Sequence, residues 1–265
     1  MKDSHRKKTN NTYCIIRWFI IIGAIAAWEL SAQLNLYNTF FTSYPSAIIA
    51  DLIQFAASGK LARHTFITLQ EAFLGLFYGT SIGILIGVIF AQFDALGKIF
   101  NPILTAINAI PQLTLAPVYV LWFGLGMASK VFLSGLMVFF ILFFSTYSAI
   151  KNTEQNLIES AHLLGANSFQ TLWYVVIPTC MPFIFTGIRG GVGACMVGAI
   201  IGEYMGASGG FGWMISYATS YFKIERVMSC IVILLIVGII LDFCLDKVER
   251  FILRWRSETQ LSLDL

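Results

Sequence analysis

The sequence predicts an all-α, polytopic membrane protein with about six transmembrane helices, and three observations carry that prediction. Hydrophobic residues fill 57% of the 265 positions and charged residues only 12%, where soluble domains hold roughly 25% charged residues; the mean hydropathy is +0.77. The apolar residues are gathered into runs. A bilayer core about 30 Å thick needs roughly 20 apolar residues in helical conformation, and six segments meet that length: 16–34, 67–91, 100–122, 130–150, 174–200 and 227–246. Finally, no Pro/Gly/Ser linker or low-complexity stretch divides the chain. A single membrane domain, 16–246, is therefore expected between an N-terminal tail, 1–15, and a C-terminal tail, 247–265. A soluble enzyme, a disordered chain and a secreted disulfide scaffold are excluded. The net charge of +3 is small and describes topology, with no sign of nucleic-acid binding.

The first span follows a basic stretch, MKDSHRKKTNNTYC, and continues past Trp28 and Glu29 without a small-x-small cleavage site. It reads as an uncleaved membrane span. Residues 35–66 form a long connection in which Pro45 precedes an amphipathic stretch, the pattern of a short helix lying on the membrane surface. The second and fifth spans carry glycines (Gly75, Gly79, Gly83, Gly87; Gly187, Gly190, Gly191, Gly193, Gly198), which let helix backbones approach closely in lipid, so both are expected to be interior. The third contains Pro102, Pro111 and Pro117, each missing an N–H, and is expected to be kinked or broken. Because broken helices line cavities, Pro111 and Pro117 are candidates for the pathway or a gate.

Orientation follows from Lys and Arg, which favour cytoplasmic segments. With the N-terminus inside, eleven of the 17 basic residues fall in inner segments and five (Lys60, Arg63, Lys130, Lys223, Arg226) in outer ones. Both termini are expected in the cytoplasm. The remaining basic residue, Arg189, lies within a span, and Glu203 sits where the fifth span ends. An intramembrane charge is costly and faces the bundle interior or a water-filled cavity. Arg189 therefore either lines the pathway or pairs with Glu71, Glu203 or free carbonyls. Glu29 and Asp242 are expected near helix ends or satisfied within the bundle.

Catalytic chemistry finds no support. The five cysteines stand at no metal-ligand spacing, His64 and His162 lack a second ligand at i+4, no Ser sits in G-x-S-x-G with an accessible base, and no G-x-x-x-x-G-K-[ST] occurs. No metal, cofactor or enzymatic activity is expected. The segment GASGGFGWM (206–214) lacks the Lys of a phosphate loop and reads as a flexible re-entrant, gate or external segment.

The strongest signal lies in the longest cytoplasmic loop, 151–173. It is too polar to span, yet Leu157, Ile158, Ala161, Leu163 and Leu164 recur at helical spacing ahead of Gly165. With only Lys151 nearby to attract anionic lipid, a protein groove is the better cover for that apolar face. Glu159, Ser160, Ala161, Gly165, Val175, Ile177 and Pro178 resemble the EAA loop of bacterial ABC importer permeases, E-A-A-x3-G-x9-I-x-L-P, with matching spacing at every anchor and modest substitutions at 160, 175 and 177. The resemblance extends to permeases of the nitrate, sulfonate and taurine importer group through Pro45-Ser46-Ala47, Ile110-Pro111-Gln112 to Pro117, Leu121 to Gly126, Gly202-Glu203, Gly206-Ala207, Gly210 to Gly212, Gly238, Leu241-Asp242 and Glu249 to Trp255.

The resemblance implies a type I ABC importer permease fold in the bacterial plasma membrane, with a coupling helix docking in a groove of a cytoplasmic ATPase. It further implies a permease homodimer, two ATPase subunits and an extracytoplasmic substrate-binding protein. It assigns coupling to Glu159, Ser160, Ala161, Gly165, Ile177 and Pro178, with Glu159 capping the helix start or pairing with the ATPase. The substrate expected is a small organic or inorganic anion such as a sulfonate, taurine or nitrate. One departure leaves an alternative open: where the group has Ser/Thr-Leu-x-Arg, this chain has Thr68, Leu69, Gln70 and Glu71. The reversed charge also fits an importer of a pyrimidine vitamin precursor or riboflavin. A stand-alone channel or secondary carrier is the competing class, but neither relays of ionizable residues nor an inverted repeat is visible.

Overall fold

The computed structural model describes residues 2–254; Trp255 and the remainder of the expected C-terminal tail lie outside the described residues. The elements are helical in order: α1 (Lys2–Gln33), α2 (Thr39–Thr42), α3 (Pro45–Ala57), α4 (Lys60–Gln92), α5 (Asp94–Asn108), α6 (Ala116–Phe123), α7 (Met127–Lys151), α8 (Gln155–Leu163), α9 (Ser168–Thr171), α10 (Ile177–Gly206), α11 (Phe211–Ser220) and α12 (Ile224–Ile252). A 3₁₀ turn, Gln112–Leu115, leads into α6, and a π turn, Leu172–Val176, joins α9 to α10. Among the described residues, five stretches are long and apolar enough to cross a membrane: Ile16–Gln33, Lys60–Gln92, Met127–Lys151, Ser168–Gly206 and Ile224–Ile252.

The third expected span is broken, bending by 76° between Asp94–Asn108 and Gln112–Phe123. The prolines act unequally. Pro102 lies inside α5, whereas Pro111 caps the 3₁₀ turn and Pro117 opens α6, where a missing N–H costs nothing because the first turn has no partner for it. Gln112 fills the break, donating from Nε2 to the Ile110 carbonyl at 3.2 Å and accepting from the Tyr119 hydroxyl at 2.9 Å.

The chain divides into two compact units. In the unit of residues 1–62 and 215–233, Glu29 accepts from the Ser46 backbone N–H and hydroxyl at 3.0 and 2.9 Å, so this intramembrane acid is satisfied as expected. The short helix predicted after Pro45 is α3, and Asp51 on it receives both Nε and Nη2 of Arg226, at 2.8 and 2.9 Å.

In the unit of residues 63–214 and 234–265, α7 is at the centre. Each glycine of α4 faces it: an added Cβ at Gly83 would sit 2.9 Å from Leu142 Cβ, and one at Gly87 2.9 Å from Thr146 Cβ, while Gly75 and Gly79 oppose Ser134 and Val138. Partner numbers rise together, so α4 and α7 run in the same direction. The intervening broken pair α5–α6 therefore makes one complete crossing. On α10 the partners of Gly187, Gly198 and Gly202 are Ser145, Ser134 and Lys130, a descending order that makes α10 antiparallel to α7. The expectation that α4 is interior holds for its glycine stripe only, since Phe73, Phe77, Ile82 and Leu85 are exposed; α7, whose sequence carries no such stripe, is half buried over its apolar window.

Candidate functional site

Two polar constructions occupy opposite ends of the α4–α7–α10 bundle. At the end where α7 finishes, an ion pair between Lys151 and Asp94 joins α7 to the start of α5, and residues 155–178 follow. Helix α8 stops in a Schellman motif: Gly165 N–H donates to the His162 carbonyl at 2.9 Å, Ala166 N–H to the Ala161 carbonyl at 3.0 Å, and Gly165 adopts φ +88°. These two bonds satisfy carbonyls that the helix end leaves orphaned, and the left-handed residue is one that glycine adopts without a Cβ clash. The chain then restarts through a capping box, with Asn167 Oδ1 accepting from Gln170 N–H at 2.8 Å and Gln170 Oε1 from Asn167 N–H at 2.9 Å. The π turn Leu172–Val176 precedes Pro178, whose absent N–H leaves the helical ladder open at that point.

The amphipathic face is split. Ala161 is buried, and Ile158 packs on the core with Val176 and Cys180, which holds α8 against the start of α10. Leu163 and Leu164, by contrast, are 88% and 89% exposed, and Phe169, Trp173 and Tyr174 are exposed beyond them. Glu159 is exposed in the second turn of α8. It does not cap the helix start, because the N-cap is Glu154, whose side chain makes no cap bond either. Ser160 donates to the Asn156 carbonyl at 2.7 Å. Ile177 and Pro178 are half-buried at the opening of α10.

At the other end, α4 contributes His64, Thr68 and Glu71, α7 Lys130 and α10 Glu203, all buried, with Glu71 and Lys130 3% and Glu203 0% exposed. Glu203 accepts the Thr68 hydroxyl at 2.7 Å and the Gly212 N–H at 2.6 Å. Thr68 Oγ1 in turn accepts the Phe211 N–H at 2.9 Å, and His64 Nδ1 accepts the Gly210 N–H at 3.0 Å. Segment 210–212 is therefore held by three backbone N–H bonds to buried side chains, with Gly210 at φ +94°. The expectation of a flexible stretch is overturned. Trp213 stacks on His64, ring centroids 5.5 Å apart. Lys130 donates to the Leu125 and Gly126 carbonyls at 2.8 and 3.0 Å and stands 3.9 Å from Glu71, so it ties the end of the broken span to α4.

Arg189 pairs with none of its expected partners. Its guanidinium meets three acids of α12: Glu249 at 3.0 Å, Asp246 at 3.6 Å and Asp242 at 3.9 Å. The reason is geometric, since α10 is antiparallel to α7 and Arg189 lies far along it from Glu203, whereas 242, 246 and 249 share one face of α12 at helical spacing. The structure thus brings Glu71 and Glu203 together, places Arg189 elsewhere, and leaves Pro111 and Pro117 at the break. Sequence reasoning missed Lys130, His64 and Thr68. A polar i, i+4, i+7 row at 64, 68 and 71 was the available signal. Among the described residues no group of three His, Cys, Asp or Glu side chains could hold a metal.

The bundle thus combines a broken span with a Schellman-terminated helix exposed between two spans. Residues 79–254 match the family described as binding-protein-dependent transport system inner membrane component, and the chain belongs to that family. It is the permease component of an ABC importer. It is 31% identical over 230 residues to the riboflavin transport system permease protein RibX of Chloroflexus aurantiacus, covering 87% of this chain and 86% of that one. To the formylaminopyrimidine transport permease protein ThiX of Halalkalibacterium halodurans it is 30% identical, covering 87% and 92%. To the taurine transport system permease protein TauC of Escherichia coli it is 28% identical, covering 89% and 88%. The fold matches a chain in a structure of the MetNI methionine ABC transporter in an inward-facing conformation, with a TM-score of 0.63 at 21% identity over 72% of this chain and 94% of that chain.

Proposed function

We propose that this chain, in the bacterial plasma membrane with both termini and α8 in the cytoplasm, forms the translocation pathway of the importer as a homodimer and docks α8 into a groove of each of two ATPase subunits, while an extracytoplasmic binding protein delivers substrate. The carrying observation is the α8 end: a rigid, Schellman-closed helix anchored by Ile158 and Ala161 that presents Leu163 and Leu164 almost wholly exposed. Two adjacent leucines beyond the reach of their own fold supply the apolar anchor of a helix-in-groove contact, and Glu159 beside them supplies a charge for a basic partner. Pro111, Pro117 and the Glu71–Glu203 end belong to the gating region on the far side.

The test is affinity purification of the tagged chain from its own host in mild detergent. The native chain retains one ATPase and one binding protein; the Leu163→Ser/Leu164→Ser chain reaches the membrane in equal amount without the ATPase. Equal ATPase recovery from both refutes the docking assignment.

Two substrate classes follow from the relatives. Taurine transport in one of them supports a small organic or inorganic anion such as a sulfonate, taurine or nitrate. A specific observation favours the second class, an uncharged heterocycle such as riboflavin or a pyrimidine vitamin precursor: Arg189 in α10 is already engaged by carboxylates of α12, and Lys130 in α7 by the Leu125 and Gly126 carbonyls. Calorimetric screening of the co-purified binding protein with taurine, nitrate, riboflavin and formylaminopyrimidine decides between them.

A further inference from the structure

Beyond Gly238 the last turns of α12 carry two charged faces. At about 100° per residue, Asp242, Asp246 and Glu249 share an arc of about 60°, the face that clamps Arg189. Lys247, Arg250 and Arg254 share a second arc of about 60°, centred about 100° from the first, and all three are exposed. Arg250 donates Nε to Asp246 at 3.0 Å, with its side chain 64% exposed. Lys247 and Arg254 lie over rings of the same helix instead: the Lys247 ammonium is 4.6 Å from the Phe243 centroid, and the Arg254 guanidinium carbon 5.9 Å from that of Phe251. Among the described residues no carboxylate pairs with either. The basic arc also continues an apolar one, because Ile236, Ile239, Ile240 and Phe243 occupy the same side of α12 in the preceding turns and are exposed. That stripe is branched and aromatic with no small residue in it, so it suits hydrocarbon rather than the close approach of another helix. A hydrocarbon-facing stripe that ends in three cations sets them at headgroup depth, with their stems on apolar surface and their charged ends at the polar layer.

We propose that Lys247, Arg250 and Arg254 form a binding site for the headgroup of an anionic phospholipid whose acyl chains lie along Ile236, Ile239, Ile240 and Phe243. Charge complementarity selects this occupant. A zwitterionic headgroup brings its own ammonium to a face that already holds three cations, whereas an anionic one brings only the phosphate. The two guanidinium groups offer paired N–H donors that match phosphate oxygens. Lys247 and Arg250 are about 4.5 Å apart along the helix axis and Arg254 about 6 Å further, a spacing that one headgroup can bridge. The Phe243 and Phe251 rings keep Lys247 and Arg254 against the helix, so little side-chain freedom is left to lose on binding. Asp242, Asp246 and Glu249 do not oppose the lipid, since they are turned to Arg189 on the other face. This end of α12 is the one proposed above to face the cytoplasm, where anionic lipid gathers; the site itself stands on α12 alone and needs neither the ATPase nor a second copy.

The experiment uses the full-length chain in nanodiscs of phosphatidylcholine with a minor fraction of phosphatidylglycerol. The photo-crosslinker p-benzoylphenylalanine replaces Ile240, on the apolar stripe and outside the basic face, and mass spectrometry identifies the adducts. Phosphatidylglycerol should be captured above its mole fraction, by about five-fold for each cation engaged. The enrichment should fall to the mole fraction in Lys247→Gln/Arg250→Gln/Arg254→Gln and persist in Lys98→Gln, a cation of α5. Should the triple variant fail to fold, Lys247→Gln and Arg254→Gln, which break no ion pair among the described residues, should each lower the enrichment by themselves. Capture in proportion to mole fraction by the native basic face overturns the proposal, as does equal enrichment after loss of the cations. Adducts to a second copy of the chain would make the face a protein interface, and displacement of the lipid by millimolar inorganic phosphate would make it a site for a soluble anion; either result also overturns it.

Discussion

Replacing Gly210 with alanine attacks the 210–212 attachment at its tightest point. Gly210 sits at φ +94°, a left-handed conformation that costs a residue with a Cβ about 1–2 kcal/mol. The new Cβ would also stand 2.5 Å from Glu203 Oε2, well inside contact distance. Glu203 must move, and its bonds to Gly212 N–H at 2.6 Å and to Thr68 at 2.7 Å cannot both survive. Interhelical hydrogen bonds in membrane bundles are each worth about 0.6 kcal/mol and at most about 1.7, so the combined loss is about 2–4 kcal/mol. Reversible unfolding in mixed micelles, followed by circular dichroism, measures it. Gly193→Ala is the control, because a Cβ there meets nothing within 4 Å and a helical Gly→Ala change gains up to about 1 kcal/mol. A Gly210→Ala chain within about 0.5 kcal/mol of native, the scatter of neutral surface substitutions, would show that the loop is not held as described.

Three further outcomes are expected. Arg189→Gln leaves Asp242, Asp246 and Glu249 without their shared cation and lowers unfolding free energy by about 1–3 kcal/mol, reduced from the fully buried case because Arg189 is partly exposed; Arg189→Glu combined with Glu249→Arg should recover part of that in the same unfolding assay, and no recovery would count against the pairing. Gly198→Val drives a branched side chain into the Ser134 backbone, whose Cα is 2.6 Å from an ideal Cβ, and should cost about 1–3 kcal/mol as overpacking, with the midpoint of thermal unfolding as the readout. Asn167→Ala removes the capping box ahead of the π turn and should cost about 1 kcal/mol, seen as faster hydrogen exchange over 168–172 with α7 unchanged.

Much of the fold is legible in the sequence because the bilayer imposes it: apolar runs must be helical, and their lengths are set by the hydrocarbon thickness. The break at Pro111 and the turn at Gly165 are equally local, each fixed by one residue's backbone restrictions. What escapes a linear reading is lateral. Nothing in the run around Lys130 says that its ammonium turns back to the Leu125 and Gly126 carbonyls and toward Glu71, and Arg189 finds its acids 53 to 60 positions away only because α10 and α12 pack side by side. The loop 206–214 misleads for a related reason. Its glycines suggest freedom, yet Gly210 and Gly212 are small so that the backbone can reach Glu203, where any Cβ would collide.

The matched repeats on α4 and α7 leave a degeneracy that the apolar packing cannot resolve. Glycines recur every helical turn on one rail, and Ser134, Val138, Leu142 and Thr146 recur every turn on the other, so sliding one helix past its neighbour by a turn re-creates nearly the same fit. Only the non-repeating polar end distinguishes the right tooth from its neighbours: Thr68 reaches Glu203 and Glu71 reaches Lys130 in a single alignment. The buried polar residues thus serve as an index mark on an otherwise periodic ratchet, and a chain stripped of them should still assemble, but into a mixture of slipped forms.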